Sequence, residues 1–326
     1  MQAFEYAAPG TVKEALGLLS SNWGETDILA GGTDLLSLMK QRLHTPKRVV
    51  GLREIKDLKA VSKSGGGWSI GSMVTLAELA GNADVKKAYP GIVQAIDGIT
   101  SQQMQAMGTV GGELMQRPRC WYFRNGFGLL GQDASGKSLI PEGENHYHAI
   151  LGNKGPAYFV NASSLAPVLA ALGAKVKIAS ASGEREVEID KLYQTPGRAT
   201  DRETTLKPNE ILTAIVLPAG GVSATYEVRQ RQLMDWPLAA AAVSLQMNGN
   251  TVSGARVVLG HVAPMPWRSA EAEALLKGKA ITEEVAAEAG KAALTKAQPL
   301  SHNKHKVQLA RVAVKRAILR AAGREV

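Results

Sequence analysis

The chain has a single cysteine, Cys120, in 326 residues. One thiol makes no internal disulfide, no cysteine-rich zinc site and no iron–sulfur cluster held by this chain alone. That usage fits a reducing compartment. No uninterrupted apolar run approaches the roughly 18 residues a membrane helix needs, so no membrane insertion is expected. The opening MQAFEYAAPG carries an acid and no basic cluster, unlike a secretory signal. No internal repeat of fixed period is present. Charge of one sign is also missing from most of the chain. The net charge is +9, but residues 291–326 hold nine Lys and Arg against one acid, Glu325, leaving the rest at +1. The basic segment has no interleaved aromatics to stack bases, so no nucleic-acid partner is expected. It reads as an exposed face or a surface for another protein.

What is present is an apolar fraction of 45% with 21% charged residues, the composition of a soluble globular chain. Short strands and helices alternate in the first two thirds. Thr11 with Glu14, and Thr75 with Glu78, are capping boxes that start helices. Strands are predicted over 27–30, 48–52, 68–70, 158–161 and 175–179, and helices over 34–43, 91–99 and 165–172, the last closed by Gly173. Residues 117–153 lack periodicity and read as a long loop. Small residues at 219–223 mark a boundary, giving domains over 1–218 and 224–326. In the second, three strands surround the turn Asn248-Gly249-Asn250, and helices follow over 269–276, 282–294 and 305–322.

Two glycine motifs carry the chemistry. LAGGTDLL places an apolar strand, Gly31-Gly32 and then a helix capped by Thr33. Glycines let backbone N–H groups approach a ligand, and a helix N-terminus supplies unpaired donors, which suits a phosphate or pyrophosphate. MGTVGG at residues 107–112 repeats the idea, with Thr109 adding a hydroxyl. Neither motif is G-x-G-x-x-G, so a nicotinamide-type Rossmann site is not indicated. The candidate ligand residues are Leu29, Ala30, Gly31, Gly32, Thr33, Asp34 and Leu35 from the first motif. The second adds Met107, Gly108, Thr109, Gly111 and Gly112. GQDASGKS at residues 131–138 matches the phosphate-loop pattern by letter, but Pro141 breaks any helix that would follow, so a solvated loop is expected. The histidines show no metal-ligand spacing. Cys120, with no His/Asp arrangement evident around it, reads as an inert thiol.

LAGGTDLLSLMK, MGTVGGELMQRPRCWYFR, VNASSLAPVLAALGA, KPNEILTAIVLP and LGHVAPMPWRSAEAEALLKGK occur in one order over nearly the whole chain. In these segments the chain resembles the FAD-binding medium subunits of the molybdenum hydroxylases. That family includes carbon monoxide dehydrogenase and xanthine dehydrogenase. The 4-hydroxybenzoyl-CoA reductase and bacterial aldehyde dehydrogenase types are the nearest in pattern. The resemblance implies an α+β fold: a two-subdomain FAD-binding domain (PCMH-like, divided near 55–60), then a smaller domain with a three-stranded antiparallel sheet and a helix bundle.

It further implies FAD as cofactor, the first glycine loop at its pyrophosphate, and Ile211 near the isoalloxazine ring. Ser164 joins the cofactor-binding candidates by the same route. The implied partners are a molybdopterin-binding large subunit and a [2Fe–2S] small subunit, which passes electrons to FAD for an external acceptor. A cytoplasmic location is expected, with export alongside a signal-bearing partner as the alternative. Three positions depart from the family pattern: Glu113 stands where Asn is frequent, Ser164 where Asp is frequent, and Glu227 where some members have Lys. The RCWYFR segment resembles members that bind an extra [4Fe–4S] cluster through four cysteines, and with only Cys120 the loop is expected without one. A flavin-free structural subunit and a free-standing flavin oxidase of the same fold remain alternative readings.

Overall fold

A computed structural model describes residues 1–231 and 235–326. It contains three sheets. The first is parallel, in the order Glu5–Ala7, Arg48–Gly51, Thr26–Leu29. The second is antiparallel and five-stranded, in the order Val61–Ser64, Gly67–Gly71, Ile211–Leu217, Lys175–Ser180, Gly183–Glu188. The third is antiparallel, running Trp267–Arg268, Thr251–Gly260, Ala239–Asn248, Val222–Val228. The α+β class is as expected, but the third sheet has four strands rather than three. The extra strand is two residues long, paired as Val258 with Arg268 and Leu259 with Trp267. Two residues are too few to show an alternating pattern.

Local signals place several elements. Thr11 accepts from the Glu14 N–H at 3.2 Å while the Glu14 carboxylate takes the Thr11 N–H, starting the helix Val12–Leu18. Thr75 and Glu78 do the same for Leu76–Gly81. Leu165–Leu172 is buried at every residue and stops at Gly173, whose φ of +74° a side chain would resist. The Asn248–Asn250 turn joins the two ten-residue strands. Residues 158–161, expected as a strand, join no sheet. They are held by single hydrogen bonds, Ala149 N–H to Tyr158 O and Asn161 N–H to Ala263 O. In the phosphate-loop look-alike, the Asp133 carboxylate accepts from the Ser135 and Lys137 N–H groups, and a turn follows where a helix would be needed.

The apolar cluster of Ala15, Val50, Leu52, Ile55, Leu58, Met73 and Ile211 joins the first sheet to the second. This junction positions the site. Residues 117–153 are not a bare loop. They include a short helix, Trp121–Arg124, and bury Phe123, Leu129, Leu130 and Ile140 against Leu38 and Phe159. The helix His305–Ala321 also departs from expectation. Its cations are largely engaged within the chain: Lys315 pairs with Glu283, Arg316 bonds and stacks on Tyr226, and Arg320 donates to Thr225 O at 2.9 Å. Arg316 and Arg320 brace the third sheet and Lys315 the neighbouring helix Glu283–Ala292, instead of forming a free basic face.

Candidate functional site

The strand Thr26–Leu29 runs into Ala30-Gly31-Gly32-Thr33, and the helix Leu35–Lys40 follows. Gly32 sits at φ +78°, which only glycine adopts without strain. Among the described residues, the N–H groups of Gly31, Gly32, Thr33 and Asp34 donate no hydrogen bond within the chain. The helix begins one residue later than expected. Asp34, not Thr33, precedes it, and its side chain makes no cap bond. Asp34 instead gathers cations: its carboxylate accepts from the Arg117 N–H at 2.7 Å and pairs with Arg124 at 2.9 Å and Arg119 at 3.2 Å.

The second glycine segment faces the first. Gly31 lies so close to it that a Cβ there would stand 1.8 Å from the Met107 carbonyl oxygen. Most of its donors, however, are already used, the Thr109 N–H being the one without a partner among the described residues. Gly111 N–H bonds Ser72 O at 2.8 Å and Gly112 N–H bonds the Thr109 hydroxyl oxygen at 3.1 Å. Thr109 thereby caps the short helix Val110–Leu114 and keeps its hydroxyl proton free to donate. The expectation of two donor-rich loops therefore holds for the first only. The second offers close backbone, the Thr109 N–H and the Thr109 hydroxyl.

Between them is an open cleft. Ala30, Gly31, Gly32, Thr33, Asp34, Leu35, Thr109, Gly111, Gly112 and Ile211 all line it. Leu29, Met107 and Gly108 adjoin it without lining it, and Ser164 is elsewhere. Apolar surface comes from Leu52, Met73, Ile211 and Leu212.

A polar wall was not legible in sequence. The His44 ring spans Asp27, at 3.0 Å from Nδ1, and Arg117, at 3.0 Å from Nε2. Because the guanidinium only donates, Nε2 accepts and Nδ1 carries the proton to Asp27. Arg117 also pairs with Glu203. Two buried oxygens in the cleft, Ser72 Oγ and Glu203 Oε2, have no partner among the described residues. Buried polar atoms are normally paired, so these mark places where a ligand atom belongs.

The three departures from the family pattern prove to be one structure. Glu113 points away from the cleft. Its carboxylate accepts from Ser163 Oγ at 2.5 Å and Ser164 N–H at 2.7 Å, capping the helix Leu165–Leu172. Ser164 Oγ donates to Glu227 at 2.7 Å, and Glu227 pairs with Arg229. Burial raises the Glu113 carboxyl to about 7, against the lowering effect of the Ser163 bond. Burial likewise raises Glu227, and the Arg229 charge opposes it.

Cys120 lies buried with its Sγ 3.2 Å from His148 Nε2, a pairing invisible in sequence across 28 positions. Burial pushes the thiol up and the imidazole down to about 4, so both are neutral. No group of three His, Cys, Asp or Glu able to hold a metal occurs among the described residues.

Known proteins share this architecture. The family described as the FAD binding domain in molybdopterin dehydrogenase matches residues 2–220, and the CO dehydrogenase flavoprotein C-terminal domain matches residues 224–321. The chain is 31% identical to the aldehyde oxidoreductase FAD-binding subunit PaoB of Escherichia coli strain K12, over 85% of this chain and 86% of that one. It is 28% identical to the carbon monoxide dehydrogenase medium chain of Hydrogenophaga pseudoflava, over 97% and 96%. A solved Cu,Mo-CO dehydrogenase in its cyanide-inactivated form superposes with a TM-score of 0.77 at 28% identity, covering 100% of this chain and 99% of that one. Fold, glycine segments and relatives agree: the chain belongs to the family of FAD-binding medium chains of the CO dehydrogenase and molybdenum hydroxylase complexes.

Proposed function

We propose that the cleft binds FAD and that the chain relays electrons within a molybdenum hydroxylase complex. The observation that carries this reading is the set of unbonded N–H groups at Gly31–Asp34 facing a close-packed backbone across the cleft. Those groups would hold pyrophosphate oxygens, as glycine-rich backbone does wherever no Cβ intervenes. The Thr109 hydroxyl would donate to the same region. Ser72 Oγ and Glu203 Oε2 would bond polar edges of the cofactor, which satisfies both. Ile211, Leu212 and Met73 would pack on the flat ring and keep water from it. When bound, FAD supplies the exchange between one-electron and two-electron carriers. The protein's own work is placement: Arg117, held between His44 and Glu203, stiffens the wall without needing to move a proton.

The electrons would enter from [2Fe–2S] clusters of a small subunit, after oxidation of substrate at a molybdopterin-bearing large subunit, and leave to an external acceptor. Relatives named as medium chains and FAD-binding subunits support this assembly. We assign residues 1–218 to cofactor binding, with two parts meeting near 55–60, and 224–326 to a second domain. This chain would carry no iron–sulfur cluster, because Cys120 alone supplies too few thiolates. Cysteine usage favours the cytoplasm. No helix among the described residues is long and apolar enough to cross a membrane.

The visible spectrum of the purified full chain tests the reading. The expected result is the two flavin bands, with no iron–sulfur shoulder, and FAD released on denaturation. A protein that stays colourless after incubation with FAD and desalting would overturn it in favour of a flavin-free structural subunit.

A further inference from the structure

A second cavity of about 260 Å³ lies between the 117–153 segment and residues that adjoin the strands of the third sheet, among them Trp236 and His261. Its construction differs from a chance gap. Lys306, fully buried, donates to three carbonyls, those of Tyr147 at 3.0 Å, His148 at 3.1 Å and His261 at 2.8 Å. All three residues line the cavity, so one ammonium pins walls that are more than 100 residues apart in sequence. His261 is held at φ +59°, a conformation that side chains rarely adopt and that clusters at functional sites. His148 and His261 are both nearly fully buried, and His148 Nδ1 has no hydrogen-bond partner among the described residues.

The mouth is aromatic. Trp121, Tyr147 and Trp236 are 57%, 44% and 39% exposed, an unusual grouping for soluble surface. The Trp121 and Tyr147 rings stand 6.0 Å apart, and the Arg119 guanidinium lies 4.5 Å from the Trp236 ring. The cations at the cavity are already answered by carboxylates: Arg119 by Asp34 at 3.2 Å and Arg231 by Asp235 at 3.7 Å. Burial holds His148 down to about 4 and His261 to about 3, so both rings are uncharged. His148 Nε2 meets Cys120 Sγ and His261 Nε2 stands 3.4 Å from Ser164 Oγ, which leaves His148 Nδ1 as the ring atom open to a ligand. Lys306, lowered to about 7 by burial, spends its N–H groups on the three carbonyls and does not line the cavity. Among the described residues the lining thus offers flat apolar surface and neutral polar atoms, with each guanidinium beside a carboxylate.

We propose that this cavity is a second ligand site, for an uncharged, planar aromatic compound bearing a hydroxyl or carbonyl group. The aromatic mouth would take the ring and His148 Nδ1 the polar group. The site is one residue from the cofactor cleft. Gln116, which lines that cleft, donates to Glu113 at 3.2 Å and accepts from Arg119 at 3.1 Å. Binding here does not depend on FAD in the first cleft.

Equilibrium dialysis of the full chain, with and without saturating FAD, tests this with 2-naphthol as probe and naphthalene-2-sulfonate as its charged counterpart. One 2-naphthol per chain is expected in both conditions. The sulfonate should bind at least about tenfold more weakly, because the site offers an anion no free cation. Trp236→Ala should weaken 2-naphthol about tenfold, the worth of a lost aromatic face. Trp23→Ala, in the first cleft, should leave it unchanged. Both tryptophans are about 40% exposed, so neither variant threatens folding. No saturable binding, equal binding of the sulfonate, or indifference to Trp236→Ala would each overturn the proposal. Loss of 2-naphthol on adding FAD, or on Trp23→Ala, would show that the probe sits in the first cleft and would overturn it too.

Discussion

The two glycine segments look alike on paper and do different work. Residues 29–35 end a parallel strand and leave four N–H groups without a partner among the described residues, with Gly32 in a left-handed conformation. Residues 107–112 spend most of their N–H groups within the chain, Gly108 on Met104, Val110 on Val74, Gly111 on Ser72 and Gly112 on Thr109, and their next residue, Glu113, turns to cap a helix on the far side. One segment supplies donors and the other supplies a smooth wall pressed against it. A Gly-Gly pair therefore signals that a backbone comes close to something, and the surrounding hydrogen bonds decide whether that something is a ligand or another backbone.

The largest expected effect comes from the point where the segments touch. In Gly31→Ala the new methyl would meet the Met107 carbonyl at 1.8 Å, backbone against backbone, with no side chain able to yield. Folding stability should fall by about 3 kcal/mol or more, read by denaturant titration, and bound FAD should be lost. Gly112→Ala is the contrast. Its methyl meets only the Thr109 hydroxyl oxygen at 3.0 Å and Ala30 Cβ at 3.7 Å. If the two variants lose FAD and stability equally, the segments are not divided as described.

Next in size is a pH effect confined to the second segment. Glu113 has a carboxyl raised from 4.5 to about 7 by burial. A raised value means that the folded state favours the protonated form. The stability that proton confers is fully present below pH 4.5 and is lost as pH climbs through 7, by about 3 kcal/mol at most. Glu113→Gln should therefore gain stability relative to the native chain between pH 5 and 8 and lose nothing below. Subtracting the two pH profiles removes the shared titration of Lys306, His148 and His261. FAD retention should not change, because Glu113 faces away from the cleft. A variant that parts with FAD would put the second segment's charge back in the site.

Much of this was legible because it is local. The capping boxes at Thr11 and Thr75, the buried helix closed by Gly173 and the strand leading into Gly31-Gly32 each depend on neighbours within a few positions. Ten candidate residues accordingly line the cleft. What stayed hidden joins distant positions. Asp27, His44, Arg117 and Glu203 meet across most of the first domain, and no spacing rule connects them. Glu113, Ser164 and Glu227 read as three separate oddities and are one hydrogen-bonded chain. Ser164 is a cofactor candidate only through the family resemblance. Its hydroxyl is committed to Glu227, and its N–H to Glu113. The Thr33 cap failed for a different reason: Asp34 was equally able to precede the helix, and the arginines of the 117–124 stretch claimed its carboxylate.

The smallest effect concerns Thr109, where both roles of the second segment coincide. Its hydroxyl oxygen caps the Val110–Leu114 helix through Gly112, and its hydroxyl proton remains free toward the cleft. Thr109→Val keeps the shape and loses both. The lost cap alone should cost about 1 kcal/mol, and FAD should dissociate more readily. Thr109→Ser restores the oxygen and proton and should recover both readouts. The pair separates wall from donor. If Val lowers stability while FAD affinity holds, no side chain of the second segment donates to the ligand. If affinity falls beyond what the stability loss accounts for, the hydroxyl donates to the ligand.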